Sequence, residues 1–255
     1  MKILRLLSLL ILVQFVAASC GSNTDGKKED KAKAAEEELA SGDEEGWTVL
    51  FDGSSTENFR GYNKETFPEQ GWVIEDGALK CQGSGQGEAG GSGGDIITLN
   101  KYKDFELELE WKVSEGGNSG IFYLAQELEG KAIYMSAPEM QILDNEKHPD
   151  AKLGKDGNRQ AGALYDLIPA VPQNAKPAGE WNHVKILVYQ GTVVHWMNGE
   201  NVLEYHLWTD EWKEMVANSK FKDWPEFVNP ATEGYIGLQD HGNDVWFRNI
   251  KIKEL

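Results

Sequence analysis

Between Phe105 and Val113 the chain alternates without a break. Phe105, Leu107, Leu109, Trp111 and Val113 fall on one side, and Glu106, Glu108, Glu110 and Lys112 on the other. Successive side chains of an extended strand point to opposite faces, so this run predicts a strand with one face in a core and the other in water. Such a strand needs partners along its edges and an apolar layer against its face, which confines the chain to packed sheets or a barrel. Further segments repeat the pattern. Trp181 to Tyr189 reads as a strand that turns at Gln190-Gly191 into Val193 to Met197, and Asn198-Gly199 then signals a tight hairpin before Val202 to His206. Gly71 to Leu79 adds a pair of strands around an Asp76-Gly77 turn. The expected fold class is all-β, either two packed antiparallel sheets or a barrel. One short helix interrupts it, from Asp210 to about Ala217, with Thr209 as its cap, Asn218 as its stop, and Trp208, Trp212 and Met215 to pack it down.

The first part of the chain has a different texture. Lys2 and Arg5 precede an apolar run from Leu6 to Val13, and Ala17-Ala18-Ser19 precede Cys20. The run is too short for a membrane span, which needs about 20 apolar residues, and suits a secretory signal. The small residues before Cys20 resemble a bacterial lipobox, which implies cleavage after residue 19, lipidation of Cys20 and anchoring to a bacterial membrane. Residues 20–46 are small, polar or charged, too poor in apolar surface to offset their conformational entropy, and read as an acidic tether. The folded domain is expected over 47–255. Cys81 is the one cysteine besides Cys20, so the mature chain forms no internal disulfide. A net charge of −17 argues against nucleic acid and against docking on anionic lipid, and leaves small neutral ligands or cations as partners.

Polar groups recur at strand spacing in a few segments. Asn118 and Ser119 lead into an apolar strand. Glu139 and Gln141 share one face of a strand whose other face carries Met140 and Ile142. Gly162 to Asp166 combines small residues with Tyr165. Near the end, Gly237-Leu238-Gln239-Asp240-His241-Gly242 reads as one arm of a hairpin that returns through Val245 to Ile250 with Arg248. Val245, Phe247, Ile250 and Ile252 cannot all lie on one face of a regular strand, so a bulge is expected near Arg248-Asn249. Arg248 is then expected to face away from the core together with Glu139, Gln141 and His241. The Gly-rich run from Gly83 to Gly94 reads equally as a lid or as an insertion. His183 and His195 are expected to be structural. No nucleophile elbow, zinc motif at helical spacing or dinucleotide fingerprint is present in the sequence.

Taken in order, Phe51-Asp52-Gly53, Asn118-Ser119-Gly120-Ile121, Glu139 to Asp144, Gly162 to Tyr165, Trp181-Asn182, Asn198-Gly199, and Gly237 to Gly242 with Phe247 to Ile250 resemble the 3-keto-disaccharide hydrolase family, also described as 3-keto-glucoside lyase/hydratase domains. The resemblance runs from Trp47 to Leu255. It implies a concanavalin A-like jelly-roll β-sandwich that cleaves a small 3-keto-glucoside or disaccharide on one face. It also implies a base, a group that stabilises an enolate oxygen, and a proton donor for the leaving group. Glu139, His241 and Arg248 are the catalytic candidates, and Asn118, Gln141, Tyr165, Gln239 and Asp240 the substrate-binding ones. Strict alternation points Asp240 opposite to His241. Glu139, Asp144 and His241 form a candidate ligand set for a divalent metal ion acting as Lewis acid. A non-catalytic lectin-like module and an ordinary glycosidase with paired carboxylates are the alternative readings.

Overall fold

The computed structural model describes residues 45–85 and 91–255. The expected signal, Cys20 and nearly all of the tether fall outside the described residues, as do residues 86–90 of the Gly-rich run. From Gly46 to Leu255 the chain is a sandwich of two antiparallel sheets. Strands are numbered in chain order. The larger sheet holds β1 (Trp47–Phe51), β3 (Trp72–Glu75), β4 (Ala78–Cys81), β6 (Phe105–Val113), β9 (Asn182–Tyr189), β10 (Thr192–Met197), β11 (Glu200–His206) and β13 (Val245–Glu254). Their order is β11-β10-β9-β6-β13-β4-β3, with β1 paired to β13. The smaller sheet holds β2 (Phe59–Gly61), β5 (Ile96–Thr98), β7 (Asn118–Ala125), β8 (Glu139–Leu143) and β12 (Tyr235–Leu238), in the order β2-β5-β12-β7-β8.

The alternation in β6 does what its pattern requires. Phe105, Leu107, Leu109, Trp111 and Val113 are at most 1% exposed and share one core with Ile121, Tyr123, Met140 and Ile142 of the smaller sheet. The acidic positions of β6 face outward, where Glu108 meets Lys251 at 3.2 Å and Glu110 lies opposite Arg248. The parity change in β13 resolves as expected. Its register against β6 slips between Arg248 and Lys251, and Asn249 takes a φ of 52° that lets Ile250 and Ile252 both turn inward.

The predicted helix is α1 (Asp210–Ala217), where Thr209 Oγ1 accepts a hydrogen bond from the Trp212 N–H at 3.1 Å. A second short helix, α2 (Pro225–Val228), stands where the sequence suggested none. Pro225 opens it, with φ already suited to the first helical position and no N–H to leave unpaired. Trp212 stacks on Tyr205 of β11 at 5.7 Å and on Phe227 of α2 at 5.8 Å, so the two helices seal one end of the sandwich. Short 3₁₀ turns occur at Ile133–Met135 and Pro149–Lys152.

One expectation needs correction. The segments around Gly242-Asn243 are not two arms of a hairpin: β12 belongs to the smaller sheet and β13 to the larger. The turn, with Gly242 at φ 83°, is a corner that carries the chain from one sheet to the other.

Candidate active site

The outer face of the smaller sheet is divided between an apolar patch and a polar cavity. Ile97, Phe122, Ile133 and Ala137 form a small second cluster over one part of it. Beside them lies a cavity of about 310 Å³, within the range of small-molecule sites. Its floor follows from strand parity. Asn118 comes from β7, Glu139 and Gln141 from β8, and Gln239 and His241 from the chain just after β12, while Ile121, Met140, Ile142 and Leu238 point inward. The Gln239 N–H donates to Gly120 O at 3.0 Å and its carbonyl accepts from Ser119 Oγ at 2.7 Å, so pairing with β7 continues past the end of β12. Aromatic side chains wall the cavity: Tyr134 from the first 3₁₀ turn, and Phe221, Trp224 and Phe227 from the chain after α1. Tyr134 and Trp224 pack at 5.6 Å, with Tyr134 44% exposed, which offers an apolar ring surface at the mouth.

Tyr165 reaches the cavity because its segment covers the edge of β8. Gln141 N–H donates to Ala163 O, Gly162 N–H to Gln141 O, and Tyr165 N–H to Glu139 O, at 2.8–3.0 Å. The Tyr165 hydroxyl donates to Asp150 Oδ2 at 2.9 Å, while burial pushes its own ionisation well up. Gly162 O in turn accepts from Nδ1 of the buried His195, whose Nε2 accepts from Tyr123 Oη at 2.9 Å. Burial holds His195 neutral, lowering its pKa to about 4. His195 is therefore a prop for the segment that positions Tyr165, as the sequence suggested.

Glu139 lies at the centre. Its side chain lies over Gly120 of the neighbouring strand, where a Cβ would come within about 2 Å of Glu139 Oε1. A side chain at position 120 would displace that carboxyl. Burial raises the Glu139 carboxyl to about 8; Lys220 pulls it down, while Asp95 and Asp150 push it further up. Asp95 is itself raised to about 7 by burial, against a hydrogen bond from the Asp240 N–H at 2.9 Å that favours its charged form. Lys220 lines the cavity with its side chain 39% exposed, its Nζ 4.1 Å from the Tyr165 ring centre and 3.9 Å from Asp166 Oδ2. Partial burial lowers its pKa, and Asp166 opposes that. Around Glu139, Asn118 Oδ1, Gln141 Oε1, Gln239 Oε1 and His241 Nδ1 are buried without a hydrogen-bond partner among the described residues. Groups of this kind cost free energy unless a ligand satisfies them.

Of the residues anticipated from sequence, the structure thus brings together Asn118, Glu139, Gln141, Tyr165, Gln239 and His241. It does not bring the others. Arg248 points outward from the opposite sheet, where its guanidinium donates to both oxygens of Glu110 at 2.8 and 3.2 Å and stacks 4.1 Å over Trp181. Alternation separates inward from outward but cannot say which of two outer faces a residue reaches. Asp240 turns away from the cavity, as parity required. Its Oδ2 accepts from the N–H groups of Gly93 and Gly94, both at 2.9 Å, and so fastens the end of the Gly-rich run. The run read equally as a lid or an insertion falls partly on residues 86–90, outside the described residues. Asp144 is a turn anchor: Oδ2 accepts from Gly116 N–H at 2.7 Å and Oδ1 from Glu146 N–H at 3.0 Å. With its oxygens engaged by backbone, it does not complete a metal set with Glu139 and His241, and no group of three His, Cys, Asp or Glu suited to a metal occurs among the described residues. The residues present do not fit the anticipated metal site.

Lys220, Tyr134 and Trp224 line the cavity and were missed by sequence reasoning. Phe221, Trp224 and Phe227 recur at three-residue spacing after α1, and this was the available signal that the segment covers an apolar wall.

A galectin-like sandwich carrying a cavity of amide, imidazole and carboxyl groups with aromatic walls defines a class, the β-sandwich proteins with a polar cavity on one outer face. Residues 46–253 match the family model of the 3-keto-alpha-glucoside-1,2-lyase-like domain, and the chain belongs to that family. A Bacteroides thetaiotaomicron protein named 3-keto-disaccharide hydrolase is 58% identical over 232 residues, covering 84% of this chain and 80% of its own. The crystal structure of a proposed glycosyl hydrolase from Parabacteroides distasonis superposes with a TM-score of 0.73 at 31% identity, covering 86% of this chain and 97% of that one. A Bacillus subtilis protein with a galectin-like fold superposes at 0.52 with 14% identity, covering 82% and 94%, and shares the fold alone.

Proposed function

We propose that this chain is an enzyme that cleaves the glycosidic bond of 3-keto-glucosides by elimination at C2. The observation that carries the reading is the ring of unpartnered polar atoms around a buried, proton-holding carboxyl in one cavity. The named activity of the Bacteroides relative supports it. A ketone at C3 acidifies the C2–H, because the electron pair left behind is delocalised onto the ketone oxygen. In its ionised form Glu139 takes this proton. The Lys220 ammonium and the amide N–H groups of Gln141 and Gln239 stabilise the enolate oxygen. The pair then forms the C1–C2 double bond as the C1–O bond breaks, and His241 gives a proton to the departing oxygen. Addition of water across that double bond restores the sugar and makes the net reaction a hydrolysis. Among the described residues lining the cavity Glu139 is the one carboxylate, which argues against a glycosidase that works with two.

The test compares a glucoside with its 3-keto derivative. Cleavage of the keto sugar alone is the expected result. Cleavage of both would assign an ordinary glycosidase, and binding of either without turnover a lectin-like module.

A further inference from the structure

Beyond Gln239 the chain that carries His241 has left its sheet. The last backbone pairing is from the Gln239 N–H to Gly120 O, and β13 starts only at Val245. The imidazole has no anchor at Nδ1 either, which is buried without a hydrogen-bond partner among the described residues. The ring is therefore placed by the backbone of residues 240–244, and the Gly-rich run grips that corner at both ends. At one end the N–H groups of Gly93 and Gly94 both donate to Asp240 Oδ2 at 2.9 Å, and the Asp240 N–H donates to Asp95 Oδ1 at 2.9 Å. At the other end the Gly83 N–H donates to Asp244 Oδ1 at 2.6 Å and the Ser84 N–H to Gly242 O at 3.1 Å. Asp240 Oδ1 accepts from the Gly242 N–H at 3.1 Å, which closes the turn on itself. From the cavity side, the Asn118 N–H donates to Asn243 Oδ1 at 3.2 Å. The composition of the run follows from this contact. A Cβ at Gly91 would run into the Asp240 carboxylate, and one at Gly93 would lie 2.6 Å from Trp72 Cδ1.

We propose that Asp240 is the positioning residue of the proton donor: its carboxylate gathers the N–H groups of Gly93, Gly94 and Gly242, and so fixes the corner that sets His241 within reach of the departing oxygen. This rests on the cleavage reading above and goes beyond it, giving a side chain outside the cavity a part in one step of the reaction. Hydrogen bonds to an ionised acceptor are about twice as strong as neutral ones, and three of them converge on this carboxylate. The placement matters because a shift of about 1 Å in a reacting group costs on the order of a hundredfold in rate. Glu139 and Gln141 stand on β8, which pairs with β7 and makes no use of the run. Removal of the C2 proton therefore keeps its geometry when the clasp on the corner is loosened, and delivery of the proton to the leaving group does not.

The experiment compares methyl 3-keto-glucoside, whose departing oxygen needs a proton, with 4-nitrophenyl 3-keto-glucoside, whose phenolate leaves without one. Asp240→Asn removes the charge at constant size. Gly91→Ala presses on the same carboxylate from an exposed position, which keeps the test valid if Asp240→Asn does not fold. The expected result is a kcat/KM for the methyl glycoside lowered about tenfold or more, with that for the nitrophenyl glycoside within about threefold of wild type. In a His241→Ala background, Asp240→Asn should cost the methyl glycoside less than about a further twofold, because residues that act as a unit are not additive. A merely structural role would lower both substrates alike. That result, no change in folded variants, or a full additional loss in the double variant would overturn the positioning role and leave glycosidic cleavage standing. Wild-type protein that turns over neither substrate would overturn the cleavage reading itself, and the positioning role with it.

Discussion

A carboxyl with a pKa of about 8 in a folded protein is a statement about both catalysis and stability. Glu139 ordinarily titrates near 4.5, and burial raises it. A raised acid favours its protonated form, so the stability it contributes is fully present below about pH 4.5. That contribution is lost as pH climbs through the folded value near 8. The same ionisation produces the base, so activity and stability move in opposite directions over this window. Wild-type kcat/KM is expected to rise with pH and to level off above 8. Glu139→Gln should cost at least about a hundredfold in turnover, the usual scale for a general base. It should also gain stability over wild type by on the order of a few kcal/mol as pH goes from 5 to 8. Thermal unfolding of both proteins across that range checks the second half; parallel curves would contradict it. Glu139 and Gln141 were legible in the sequence because their apolar neighbours Met140 and Ile142 fix the parity of the strand. Lys220 was not, since it follows the end of a helix and lies outside the three-residue spacing of Phe221, Trp224 and Phe227, and its place depends on how α1 and α2 pack.

Elements decide which residues can meet. The strands and α1 were readable from local pattern: period two in β6, turn residues at Asn198-Gly199, a capping Thr209. What local pattern could not supply was the assignment of strands to sheets. The corner at Gly242 puts His241 at the end of the smaller sheet and Arg248 on the outside of the larger one, although seven positions separate them in sequence. On that face Arg248 belongs to a run of cations and indoles, with Lys112 4.5 Å over Trp246 and 5.0 Å over Trp181, and Lys80 4.7 Å over Trp246. These contacts are structural, and the consequence is direct. Arg248→Ala is expected to lose about 1 kcal/mol of stability through its ion pair and ring contact. Turnover of a 3-keto-glucoside should stay within about twofold of wild type, against the hundredfold scale of a group that takes part in proton transfer. A large loss of kcat in a folded Arg248→Ala protein would return this residue to the site.

At the scale of the whole molecule, the two sheets differ on their outer faces. The larger sheet closes its outer surface with ion pairs and ring contacts, while the smaller leaves unpartnered polar atoms around Glu139. The segment from Lys220 to Phe227, running into α2, supplies a wall of that cavity. In the proposed reaction the bond is broken by removal of the C2 proton rather than by displacement at C1. The most direct measurement runs the reaction on a 3-keto-glucoside in deuterium oxide, quenched within the early turnovers, and reads the hydrogen at C2 of the released sugar. Elimination predicts that the original C2 protium is gone, whether the product is the unsaturated sugar or its hydrated form carrying solvent deuterium. A released sugar that keeps its C2 protium would mean direct displacement at C1 and would contradict the account.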